Sequence, residues 1–149
     1  MQTAGLMYIV SAAGSLIVNS TLKPVVNSTI SMVSSLTSSS GNHKTLEKVL
    51  QEIDLVATIR LIEATILAMD CSNEPIKTAS ENVVDGIQQI NGILTKIADV
   101  TAGHQSGYIS RWRTLNLSDE ITEIREAMDV LSKRFTLLCN INSMKNKYT

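Results

Sequence analysis

The stretch EPIKTASENVVDGIQQINGILTKIADVT, residues 74–101, decides the fold. Within it Ile76, Ser80, Val83, Ile87, Ile90, Leu94, Ile97 and Thr101 recur at alternating steps of four and three residues. Such a heptad keeps one seam on one side of an α-helix and suits shallow-angle packing along other helices. Ser72 or Asn73 is placed to cap its start, and Pro75 falls in its first turn, where a missing N–H costs little. Asp70 to Glu74 therefore reads as a turn, and Gly103 as the stop of the helix.

Towards the N-terminus, a helix is predicted from Lys44 to Met69, and it carries two apolar faces. Leu46, Val49, Leu50, Ile53, Ala57, Leu61, Ala64 and Ala68 form one; Leu55, Ile59, Ile62, Ile66 and Met69 form the other. A helix apolar on two sides is central in its fold, or shares one side with a partner. Ile59, Ile62 and Ile66 are read as the outer, partner-facing side. On that reading Ile62→Asp weakens assembly more than it weakens folding.

Residues 1–42 contain one charged side chain, Lys23. Charge is what usually keeps a helix face in water, so this segment should bury most of its surface. Leu6, Ile9, Val10, Ala13, Leu16 and Ile17 recur at helical spacing, and the pattern resumes with Leu22, Val25, Val26, Thr29, Ile30, Val33 and Leu36. Because proline is tolerated only in a first turn, Pro24 predicts two short helices or one kinked helix from Ala4 to Leu36. Gly5, Ser11, Ala12, Ala13 and Ser15 allow close helix approach, in protein or in lipid. Thr3 to Leu22 has the length of a membrane span, but Ser11, Gly14, Ser15, Asn19, Ser20 and Thr21 dilute it. Its own core, a larger assembly and lipid are thus three readings of this segment. Thr37 to Asn42 reads as a linker.

Towards the C-terminus, Ala102 to Leu117 is the longest irregular connection and holds the chain's one Trp. Tyr108, Arg111, Trp112 and Arg113 make it the best local candidate for recognition, since Trp and Arg anchor interfaces and Arg also meets phosphate or stacks on bases. Trp112 plugging one end of the fold, with both arginines in water, is the structural alternative. Ser118 reads as the cap of a last helix, with Asp119 and Glu120 at its positive end. Its stripe is Ile121, Ile124, Met128, Leu131, Phe135 and Leu138; it fades near Ile141, and residues 142–149 are expected to fray.

The fold class is therefore all-α: an antiparallel four- to five-helix bundle with a kinked or split apolar N-terminal helix. It is read as one domain over residues 1–149, with a charge-poor segment 1–42, a three-helix body 43–141 and a tail 142–149. No strand is predicted, because Ile, Val and Thr follow the helical period and not a period of two.

Composition narrows the chemistry. A net charge of -1 over 149 residues gives no broad attraction to nucleic acid or anionic lipid. Aromatic residues are 3%, so the core must be aliphatic. Cys71 and Cys139 are too few for a disulfide framework and read as free thiols in a reducing compartment. Neither has a neighbouring His, and both are placed at helix C-terminal ends, where the dipole raises a thiol pKa. His43 and His104 stand far apart with no Cys or carboxylate cluster at ligand spacing, which argues against a metal site. Arg60 and Glu63 are three apart and expected to pair on one helix face. No phosphate-binding loop, dinucleotide fingerprint or zinc-protease motif occurs. No enzyme activity, cofactor or small-molecule substrate is expected.

Two resemblances carry expectations of their own. The order of elements, from a Gly/Ala-containing apolar first helix to a heptad helix at Asp119 to Cys139, resembles the N-terminal four-helix bundle of the mixed-lineage kinase-like and HeLo families. That resemblance implies oligomerisation and membrane permeabilisation, although this chain lacks those families' basic surface patch. The Trp112-Arg113 pair, followed by a helix ending Leu131-Ser132-Lys133-Arg134-Phe135-Thr136-Leu137-Leu138, is similar to small helical proteins of large DNA viruses, as is the Asn-, Ser- and Ile-rich composition. It implies a virion or host-interaction component.

The leading expectation is a non-enzymatic helical structural or interaction protein, a subunit of a larger assembly such as a virus particle. The alternative is a membrane-active bundle that oligomerises in lipid. Leu6, Ile9, Leu16, Ile17, Ile59, Ile62, Ile66, Arg111, Trp112 and Arg113 are the candidate contact residues. Expected partners are protein subunits, copies of itself or others, with lipid reached through the N-terminal helix as the alternative; nucleic acid is not expected. The expected location is a reducing intracellular compartment or a virion, with no classical signal peptide.

Overall fold

The buried aliphatic positions of the heptad 76–101 share one core, and the other described helices are arranged around it. In a computed structural model the described residues are 2–38, 44–106 and 116–148, with side chains described over 18–37, 45–103 and 116–147. They form α1 (Gln2–Ser38), α2 (Lys44–Glu52), α3 (Leu55–Leu67), α4 (Glu74–Ser106) and α5 (Ser118–Tyr148), with no strand among them. The all-helical expectation is met.

The central rod is α4, which packs against α1 on one side and α5 on the other, while α2 and α3 pack on α1. Its heptad members Ile76, Val83, Ile87, Ile90, Leu94 and Ile97 are fully buried. Ser80 and Thr101 are the buried polar members: the Ser80 hydroxyl lies 3.9 Å from Cys71 Sγ, whereas the Thr101 hydroxyl has no hydrogen-bond partner among the described residues. Asn73 is the residue that caps the helix, its Oδ1 accepting the Ile76 N–H at 3.3 Å. The helix continues through Gly103 to Ser106, so Gly103 is not the stop its composition suggested.

Direction can be read from the cross-helix bonds. Asn91 reaches Ser28 and Thr29, and Thr95 reaches Met32, so α1 and α4 point the same way there. Lys96 pairs with Glu123, and Arg134 with the carbonyl of Asn82, so α4 and α5 point opposite ways.

Of the two forms expected, two short helices or one helix through Pro24, α1 takes the second and is continuous. Val18, Leu22, Val26, Thr29, Val33 and Leu36 form a single buried stripe that passes Pro24 without a change of phase. Pro24 itself is exposed, on the side where a missing backbone N–H costs least.

The expected helix from Lys44 to Met69 is two helices. Asp54 adopts the left-handed conformation (φ 50°, ψ 47°) and separates α2 from α3. The Asp54 N–H bonds to Gln51 O at 3.1 Å, a tightened last turn, while the Asp54 carbonyl accepts the Thr58 N–H at 3.0 Å and starts α3. This break resets the helical phase. Leu46, Val49 and Leu50 face inward from α2, and Leu55, Ile59, Ile62 and Ile66 face inward from α3. What looked like one helix with two apolar sides is two helices, each burying one of them.

α5 keeps the predicted stripe, with Ile124, Met128, Leu131 and Leu138 buried and Ile121 and Phe135 half-buried. Its start is bonded by Asn116 Oδ1, which accepts the Ser118 N–H at 3.0 Å, and not by the Ser118 side chain. At the other end the helix runs to Tyr148 instead of fraying from residue 142. Lys145 Nζ lies 2.8 Å from Asp70 Oδ2 and ties the last turns of α5 to the turn between α3 and α4.

Candidate interaction face

The sequence-derived contact residues fare differently. Ile59, Ile62 and Ile66, read as an outer face, belong to the core with at most 1% of their surface exposed; the phase reset at Asp54 turned them inward. Leu61, on the face expected to be internal, is 61% exposed, and Ala57, Ala64 and Ala68 are exposed with it. Leu6, Ile9, Leu16 and Ile17 lie in α1, but their side chains are outside the described ones. Arg111, Trp112 and Arg113, like His43, lie outside the described residues, and His104 lies in α4 with its side chain undescribed. Of these residues the described ones, Ile59, Ile62 and Ile66, share one face, and it is the inward face of α3.

An exposed apolar row on α5 comes from residues absent from that expectation. On α5, Val130, Leu137 and Met144 are 38%, 56% and 60% exposed. They stand seven residues apart, about two helical turns, and so share one side of the helix. This side lies about 100° round the helix from Leu131 and Leu138, along the edge that α5 shares with α4. The signal was in the sequence: adjacent Leu137 and Leu138 cannot face the same way, and only Leu138 fits the inward stripe.

Two shallow grooves flank this stripe where α5 meets α4. The larger, about 510 Å³, is lined by Pro75, Thr78, Ala79, Asn82, Leu137 and Ile141, with Glu74 at its edge. The smaller, about 260 Å³, runs between Gln89, Ile93, Glu123, Glu126, Ala127 and Val130. Arg134 separates them, its Nη1 donating to the Asn82 carbonyl at 2.9 Å. Gly86 makes this crossing close: a Cβ there would sit 3.1 Å from Leu131 Cδ1 and 3.7 Å from Arg134 Nη1. Neither groove is an enclosed pocket with converging catalytic groups.

Titratable groups near this end are structural in character. The ion pair and hydrogen bond from Lys145, then the Ser72 hydroxyl and N–H, hold the Asp70 carboxyl down at about 2. Burial pushes the Cys71 thiol up, and burial likewise raises Cys139. Both cysteines are free thiols. Cys71 sits in the turn after α3, whereas Cys139 lies inside α5 and not at a helix end. A raised pKa leaves little thiolate at neutral pH, the reverse of what a nucleophile needs. Arg60 and Glu63 form no ion pair among the described residues.

Among the described residues no group of three His, Cys, Asp or Glu is placed to hold a metal ion, and no helix is long and apolar enough to cross a membrane. Comparison with protein-family models, with curated proteins and with solved structures finds no match to this chain.

Proposed function

We propose that the chain is a non-enzymatic helical interaction protein, a subunit of a larger assembly, that works by burying the outer side of α5 against protein. The observation that carries this reading is the set Val130, Leu137 and Met144, exposed at heptad spacing on a helix whose other apolar stripe is already buried. Large apolar side chains scattered singly need no explanation, but an aligned row beside two grooves marks a contact surface. Leu137 is its centre, because it both projects into water and lines the larger groove.

In the same reading the rods alternate in direction along the chain, α1 one way, α2 with α3 back, α4 forward and α5 back, as an antiparallel bundle with α1 bent at Pro24. The opposite sense of α4 and α5, and the shared sense of α1 and α4, support this order. Leu6, Ile9, Leu16 and Ile17 at the charge-poor start of α1, and Arg111, Trp112 and Arg113 in the last connection, are secondary contact residues of the assembly. The resemblance read from Trp112-Arg113 and the helix that follows it favours a particle component as its concrete form.

A photo-crosslinking residue placed at Leu137, in the cells that make the protein, tests the reading. Protein adducts are expected there and not from the same probe at Lys48, an exposed position on α2 whose side chain is 77% accessible. Equal, background-level labelling at both positions would remove the proposal.

A further inference from the structure

We propose that the occupant of this face is a second copy of the chain, its α5 lying antiparallel on α5 across a two-fold axis at Leu137. The inference rests on reading that face as a contact surface.

Apolar spacing makes α5 complementary to itself, and charge sets the sense of the pairing. A two-fold axis brings one surface against itself, so residue i meets j while j meets i. Val130 and Met144 each stand seven residues from Leu137, so the exposed row reads the same from either end. With Leu137 on the axis, Leu137 meets its own copy and each Val130 meets the Met144 of the second copy. No apolar residue of the row is left opposite water.

The second pattern is charge. The first half of α5 carries Asp119, Glu120, Glu123, Glu126 and Asp129 against Arg125. The half after Val130 carries Lys133, Arg134, Lys145 and Lys147 and no acid, with Lys133 paired to Asp129 and Lys145 to Asp70 within the chain. This polarity suits the helix's own dipole, and it also sets the sense of pairing. Antiparallel α5 helices lay acidic half on basic half, with Glu126 near Lys147 of the second copy. Parallel helices would stack acid on acid and base on base, which is repulsive. Both Glu126 and Lys147 are exposed, so the contact needs no burial of charge. The groove lined by Leu137 and Ile141 gives the facing helix a depression to fill.

Sedimentation equilibrium of the purified full-length chain tests the proposal. The mass is expected to rise with concentration from 16.2 kDa to twice that value and no further. Leu137→Asp should leave the helical circular dichroism unchanged and raise the dimer dissociation constant at least ~30-fold, as for a central anchor residue. Glu126→Lys alone should weaken the dimer by roughly fivefold at most, and Lys147→Glu in the same chain should restore it. In a Cys139→Ser background, a mixture of Val130→Cys and Met144→Cys chains should give the mixed disulfide, with little Val130→Cys homodimer. A monomer at all concentrations, a dimer indifferent to Leu137→Asp, or a preferred Val130→Cys homodimer each overturns it. A monomeric chain whose Leu137 probe still labels a different protein in cells overturns self-pairing and leaves the contact-surface reading standing. A monomer with no protein adduct removes both.

Discussion

Asn91 Nδ2 on α4 lies 3.1 Å from Thr29 Oγ1 on α1, and that hydroxyl donates in turn to Val25 O at 2.6 Å. Thr29 is fully buried, so its hydroxyl uses both its donor and an acceptor site inside the contact. Asn91 also donates to Ser28 Oγ at 3.1 Å. Together with the Thr95 hydroxyl, which donates to Met32 Sδ at 3.5 Å, this amide sets the register of two helices whose aliphatic packing alone is tolerant of sliding.

Breaking this link should cost stability without unfolding the chain. Thr29→Val keeps the volume but removes the acceptor, and a cost of about 1 kcal/mol is expected. A double-mutant cycle with Asn91→Ala should return a coupling of roughly 0.5–1.5 kcal/mol from urea unfolding. Additive effects within error would show that the amide and hydroxyl do not act together.

The glycines of α4 offer a contrast within one helix. Gly92 has open space where a Cβ would go, whereas at Gly86 the Leu131 side chain is 3.1 Å away. Gly92→Ala should gain up to about 1 kcal/mol, since alanine is the better helix former and no atom obstructs it. Gly86→Val should lose roughly 1–3 kcal/mol by pushing α5 off α4. Thermal melts of the two variants should move in opposite directions.

The heptad of α4 was legible because seam and period agree over its whole length, and no competing stripe exists on that helix. The break at Asp54 was not legible. Ile53-Asp54-Leu55 contains neither Gly nor Pro, and apolar residues continue on both sides in two phases, so one long helix accommodates them as two faces. A left-handed residue, which Asp accepts more readily than most, turns Leu46, Val49 and Leu50 inward from α2 and Leu55, Ile59, Ile62 and Ile66 inward from α3, and leaves Leu61 outside. The outer row of α5 stayed hidden for a related reason: a three-four stripe through Leu131 and Leu138 explains most apolar positions, and leaves Val130, Leu137 and Met144 unremarked. The end of α5 depends on Asp70, 75 residues away in sequence, which no local pattern reports.

The face reversal on α3 makes a sharp prediction. Ile62 is 0% exposed and Leu61 is 61% exposed, although they are neighbours. Ile62→Asp should place a carboxylate in the aliphatic core and cost more than about 4 kcal/mol, enough to unfold a marginal domain. Leu61→Asp should change stability by no more than ~0.5 kcal/mol. Circular dichroism of the isolated chain decides: a folded Ile62→Asp protein would mean that α3 presents its other side.

The ion pair at the end of α5 predicts an acid-dependent release of that helix. The Asp70 carboxyl is held at about 2 by the Lys145 ammonium and the Ser72 hydroxyl, below the ~3.9 of an unfolded chain. A depressed carboxylate contributes stability that is full above the unfolded value and is lost as pH falls towards the folded one. The window is therefore from about pH 4 to pH 2. Because the Asp70 side chain is 57% accessible, solvent screens the pair and its worth stays below about 1 kcal/mol. The effect should be local before it is global. Amide exchange, corrected for intrinsic rates, should accelerate over residues 142–147 in this window while Leu94 and Ile97 stay protected. Asp70→Asn should show the faster exchange already at neutral pH and no further step on acidification. If wild type and variant instead respond identically to acid, the last turns of α5 are held by their own helix and not by the distant turn.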